Sequence, residues 1–117
     1  MGFRVVEMGE GQVVFAGTLG REVYNPIGAV HCGYAATLLD SACGCAVHSR
    51  LLAGQRCTTL ELKVVYHRTI TSEAGGVFAE GKVVTLGQKA AFAEATLKDA
   101  SGPLYASANS SLLVLDR

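Results

Sequence analysis

The chain has no excess of either charge. Ten lysines and arginines balance ten aspartates and glutamates over 117 residues. Phosphate backbones need a basic surplus, so nucleic acid is not an expected partner, although local basic patches remain. A secretion signal is not expected either. The opening Met-Gly-Phe-Arg-Val-Val-Glu has no basic-then-apolar order. Myristoylation wants a Ser or Thr shortly after Met1-Gly2, where Val6 and Glu7 stand. No uncharged apolar run is long enough to cross a bilayer, because Asp40, His48 and Arg50 interrupt the longest apolar segment. Internal repeats, linkers and low-complexity segments are absent, so residues 1–117 are expected to form one domain.

A disulfide framework is also lacking. The cysteines are Cys32, Cys43, Cys45 and Cys57. Cys43 and Cys45, two apart on an expected helix, point to different sides of it. Reduced, buried thiols and a cytoplasmic setting are expected. The set His31, Cys32, Cys43 and His48 matches no ordinary zinc spacing, so no metal is expected.

What the chain does have is apolar sequence, half of its residues. That suffices for a core in one small domain and leaves surface for a subunit interface. Phe3–Val6 and Val13–Leu19 read as short strands around a Gly9-Glu10-Gly11 turn. Arg21–Val30 is a polar loop. His31 to about Ala53 reads as one helix, with Gly54 as its stop and Arg50 suited to its last turn. The helix is apolar nearly all round, which calls for burial on most sides. Four strands follow: Thr58–Tyr66 (Leu60, Leu62 and Val64 on one face), Val77–Leu86, Lys89–Lys98 and Leu104–Leu115. Gly75-Gly76, Gly87-Gln88 and Asp99–Gly102 supply the turns.

Asp40 stands in the middle of that apolar helix. Burying a carboxylate is costly, so such a residue has a partner or a task. Asn25, Gly28, His31 and Gly33 lie just before it. The pattern Asn25, Gly28, His31-Cys32-Gly33, Asp40 resembles the hotdog-fold acyl-CoA thioesterases, in particular the PaaI-like branch related to 4-hydroxybenzoyl-CoA thioesterases. Thr58-Thr59-Leu-Glu61 through Tyr66-His-Arg68 resembles that family's next strand. The resemblance spans essentially the whole chain. It implies an α+β hotdog fold, a long central helix wrapped by a mainly antiparallel sheet of about six strands. Among its departures from the family, Cys32 replaces the first Gly of His-Gly-Gly.

The resemblance implies a thioester hydrolase acting on an acyl- or aryl-CoA, without a cofactor beyond the coenzyme A of the substrate. Asp40 would be general base or nucleophile. The backbone N–H of Cys32, with that of Gly33, would stabilise the oxyanion at a helix N-terminus, where free N–H groups and the positive dipole end lie. Asn25 would hold the carbonyl or the water, His31 would mainly fix the loop, and Thr59, or Thr58, would orient the water beside Asp40. Tyr66, Arg68 and the turn Leu86-Gly87-Gln88-Lys89 would bind CoA, with Arg56 and Lys82 as further cations. Asp40 lies seven residues beyond Gly33, about 10 Å along the axis. One helix therefore cannot serve one carbonyl with both its N-terminus and Asp40. A site shared across a homodimer, or a dimer of dimers, is expected, with Asn25 and Cys32 from one subunit and Asp40 and Thr59 from the other. The rival readings are a non-catalytic acyl-CoA binding protein and a hotdog hydratase or dehydratase.

Overall fold

The computed structural model describes residues 3–18, 32–68, 76–99 and 104–115. Strands β1 (Phe3–Gly9) and β2 (Gln12–Thr18) precede one helix, α1 (Cys32–His48). Strands β3 (Arg56–Tyr66), β4 (Gly76–Leu86), β5 (Ala90–Asp99) and β6 (Leu104–Leu115) follow. All pair antiparallel in one sheet of order β1-β2-β4-β5-β6-β3. The expected α+β hotdog architecture is present, with α1 lying across one face of the sheet.

Small residues explain how the helix lies so close. The inner sheet face carries Ala79, Gly81, Ala91, Ala93, Ala95, Ala106 and Ala108, all buried. The helix answers with Ala35, Ala42, Cys43 and Ala46, and with Leu38, Leu39 and Val47 between them. At Gly81 the fit is tightest. A Cβ built there would lie 2.3 Å from the carbonyl oxygen of Ala42. Glycine is required at that crossing because helix backbone occupies the place of a side chain.

The helix is shorter than its apolar pattern suggests. It ends at His48, not near Ala53. The chain tightens there through i→i+3 bonds, Arg50 N–H to Val47 O at 3.0 Å and Leu51 N–H to His48 O at 3.1 Å. Ser49 donates to Ala46 O and accepts from Gly11 N–H, both at 2.7 Å, which ties the helix end to the β1–β2 turn. Gly54, with φ of 87°, serves a separate turn closed by Gln55 N–H to Leu52 O. That turn needs positive φ at its third residue.

Strand β3 departs from simple alternation. Thr59 pairs with Leu112 and Glu61 with Ser111, so Leu60 is an extra, bulged residue. The partners of the buried β6 residues Val114, Leu112, Ser110 and Ala108 are Cys57, Thr59, Leu62 and Val64. These four therefore share the inner face. Leu60, expected beside Leu62 and Val64, is 62% exposed instead. Ser110 donates to Glu61 O at 3.2 Å, giving a partner to its buried hydroxyl at the bulge.

Candidate active site

The β3 bulge and the helix flank meet at Asp40. Its half-buried carboxylate sits on the side of α1 that faces β3. Thr59 Oγ1 donates to Asp40 Oδ1 at 3.2 Å. The bulge decides between the two threonines. It turns Thr59 inward, while Thr58 pairs with the half-buried Leu113 on the other face. A straight strand keeping Leu62 and Val64 inward would turn Thr58 inward instead.

A hydroxyl has one proton and two lone pairs. Thr59 gives the proton to Asp40, so its lone pairs remain available to a water. The hydrogen bond also fixes the carboxylate rotamer. Both groups reach solvent, so the pair is open to a ligand. The expected result for Thr59→Val is a fall in kcat of about tenfold, from loss of a hydrogen bond to a charged acceptor. Thr59→Ser should recover most of it, and Thr58→Val should stay near wild type. Steady-state kinetics that separate kcat from KM give the check; equal effects at both threonines would remove Thr59 from the site.

The thiols near this pair are poor nucleophiles. Cys43 is fully buried, and burial together with the nearby Asp40 and Glu94 carboxylates pushes its pKa up to about 12. Burial also raises the half-buried Cys45 and Cys57 thiols. All three are free thiols, and all three are protonated at neutral pH. Among the described residues no group of three or more His, Cys, Asp and Glu gathers to hold a metal ion.

Cys32 and Gly33 open the first turn of α1, where the expected N–H donors belong. Asn25 and His31 lie outside the described residues, as does Gly28. The residues expected to hold CoA fall into two groups. Tyr66 ends β3 with Arg68 just beyond it, beside Tyr105 at the start of β6. Leu86-Gly87-Gln88-Lys89 forms the β4–β5 turn, closed by Gly87 N–H to Ala90 O at 2.8 Å. That turn lies at the other end of the sheet, at the level of Leu113 and Thr58. Seven paired positions separate this level from Tyr66, about 23 Å. One chain therefore does not bring the two groups together. Lys82 stands apart from both. It faces away from the helix, between the inward Gly81 and Val83, and pairs with Glu94 at 3.5 Å.

Two features escaped sequence reasoning. The Leu60 bulge hides within Leu60-Glu-Leu62-Lys-Val64, which alternates as a regular strand would. Gly44, one turn after Asp40, hides within a helix that is small or apolar at most positions.

Residues 27–106 match the thioesterase superfamily. The chain belongs to that superfamily. A solved structure from it is 34% identical, with a TM-score of 0.83, covering 95% of this chain and 83% of the other. A thioesterase family protein from Silicibacter pomeroyi is 27% identical, with a TM-score of 0.90 and coverage of 99% and 86%. The PaaI protein from the phenylacetic acid degradation operon of E. coli shares the fold at 18% identity, with a TM-score of 0.88 and coverage of 97% and 79%. No curated protein matches the chain. The hotdog fold and the thioesterase family expected from the sequence are both met, and the PaaI protein shares that fold. Among the described residues, no helix is long and apolar enough to cross a membrane.

Proposed function

We propose that this superfamily member hydrolyses the thioester of an acyl- or aryl-CoA, giving the free acid and CoA, at a site centred on Asp40. The observation that carries this reading is the Asp40–Thr59 hydrogen bond on an open helix flank. The carboxylate removes a proton from a water held against Thr59. The water oxygen then bonds to the thioester carbon, and the carbonyl pair becomes an oxyanion. The C–S bond breaks as the oxyanion collapses, and the thiolate leaves. Its conjugate thiol has a pKa of roughly 8.5 by analogy with cysteine, so no strong general acid is needed. Direct attack by the carboxylate, giving an anhydride that water then opens, uses the same residues.

The oxyanion donors in this reading are backbone N–H groups of Cys32 and Gly33 of a partner subunit, with Asn25. Three features support a two-fold dimer across β3. This strand is an edge with only β6 beside it, among the described residues, and eleven residues long. It exposes Leu60, Val65 and Tyr66. Such an edge invites pairing with another chain. The helix end at His48 joins the β3 start at Arg56 by a short connection, so the two elements run in opposite senses. Antiparallel pairing of two β3 strands would then set Asp40 and Thr59 beside the N-terminal half of the partner's helix. It would also bring the Tyr66–Arg68 end of one chain towards the Gly87–Lys89 turn of the other. Assembly of two dimers would leave this site unchanged.

Hydrolysis of benzoyl-, phenylacetyl- and short to medium aliphatic CoA esters, followed by thioester absorbance, tests the activity. Mixing tests the shared site. Asp40→Asn and Asn25→Ala homodimers are each expected to be nearly inactive. Co-refolded together, they should regain about a quarter of wild-type activity, since half the dimers are hybrid and one of their two sites is intact. No recovery, or turnover by a monomer, would refute the shared site. CoA-ester binding without turnover would identify a binding protein instead.

A further inference from the structure

Two glycines mark the helix–sheet layer, and the fold explains only one of them. Gly81 is required because Ala42 O would meet its Cβ at 2.3 Å. Gly44 is inside α1 and half-buried, yet a Cβ there would meet nothing within 4 Å among the described residues. Glycine inside a helix is less stable than alanine. Packing within the described chain therefore gives no reason for it.

Its position does. Gly44 is one turn beyond Asp40, about 40° round the helix axis. The residues that face the sheet, among them Leu39, Cys43 and Val47, lie on the adjoining arc, which ends at Val47 about 20° from Asp40 on the side away from Gly44. Asp40 thus stands at the edge of the sheet-facing arc, on the side that Thr59 identifies with β3, and Gly44 lies next to it, turned further from the sheet. A thioester carbon attacked through Asp40 must lie beside that carboxylate. The proposed oxyanion donors approach from the N-terminal half of a helix, so the acyl group is directed the other way along this flank. The next exposed polar side chain in that direction is His48, about 12 Å from Asp40 along the axis.

We propose that the open space over Gly44 receives the acyl group of the substrate, and that the missing side chain admits a chain of medium length. This rests on the hydrolytic reading of Asp40 and Thr59. Hydrolysis of acetyl-, hexanoyl- and decanoyl-CoA by wild type, Gly44→Ala and Gly44→Leu tests it. The ratio of kcat/KM for hexanoyl- over acetyl-CoA is expected to fall about tenfold or more in Gly44→Leu, with Gly44→Ala in between, as filling an apolar pocket requires. Calorimetric binding of the S-hexyl and S-ethyl thioethers of CoA gives a second readout independent of turnover. The hexyl compound should lose affinity in the same order.

Should wild type hydrolyse none of the esters, the hydrolase reading falls and the thioether series still decides the inference. Unchanged ratios and unchanged thioether affinities in folded Gly44→Leu overturn it. Dissociation of the dimer with both unchanged also overturns it and gives the space to the partner subunit. Gly44→Ala, a substitution that favours the helix, carries the test if Gly44→Leu fails to fold.

Discussion

Replacing Asp40 by Asn should lower kcat by a hundredfold or more, while leaving the fold and CoA affinity close to wild type. The amide keeps the size of the carboxylate and can still accept from Thr59 Oγ1, which lies 3.2 Å from Asp40 Oδ1. It cannot take a proton from water and does not attack a carbonyl as a carboxylate does. Positioned acid–base groups contribute about 10²–10⁴-fold. The effect should fall on kcat and kcat/KM together, because the lost interaction belongs to the transition state. Parallel measurement with the best ester of the panel gives the check. A loss of less than tenfold would mean that Asp40 is a structural carboxylate and that another group activates water.

Gly81→Ala should be the most damaging single-methyl change in the sheet. The added carbon would fall 2.3 Å from Ala42 O and 2.5 Å from Ala42 C. Backbone on both sides leaves no flexible side chain to move away, so α1 itself must lift. Overpacking of this kind costs about 1–3 kcal/mol and occasionally more. The upper end is expected here, with a fall in melting temperature of about 10 °C or more. Lifting the helix also separates Asp40 from Thr59, so kcat should fall with stability. Thermal unfolding followed by circular dichroism gives the measurement. A melting temperature within two or three degrees of wild type would show that the helix shifts at little cost. Gly44→Ala provides the contrast: it adds the same atom into open space in a helix and is expected to stabilise by about 0.5–1 kcal/mol.

Much of the fold was legible because its elements carry strong local signals. The long apolar helix with one carboxylate, the glycine-marked turns and the four late strands all stand where the residues placed them, within a residue or two at most ends. The helix end was not legible. Ala53-Gly54 imitates a helix stop, whereas the real end is set at Ser49 by a contact with Gly11, 38 residues away in the chain. Local pattern cannot report a tertiary hydrogen bond. Asp40 was legible because a charge in an apolar helix is conspicuous. Its partner was only narrowed to two adjacent threonines, because strand register belongs to the pairing with β6 and not to β3 alone. The CoA residues were named as one set, yet pairing places them at opposite ends of the sheet.

The bulge at Leu60 has a consequence for how this chemistry is inherited. Thr59 lies nineteen residues after Asp40. The next residue, Leu60, falls beyond the hydroxyl and is absorbed by the bulge, between Thr59 and the apolar anchor at Leu62. A relative with a regular strand and the same anchor would need one residue fewer between hydroxyl and anchor. Measured back from the anchor, its hydroxyl would then stand one place nearer. The acid and its hydroxyl are thus linked through a spatial register that tolerates a single-codon gain or loss in β3. Spacing from the acid is untouched by such a change, whereas a strict alternation counted back from the buried anchor selects the wrong one of two neighbouring threonines unless the bulge is included.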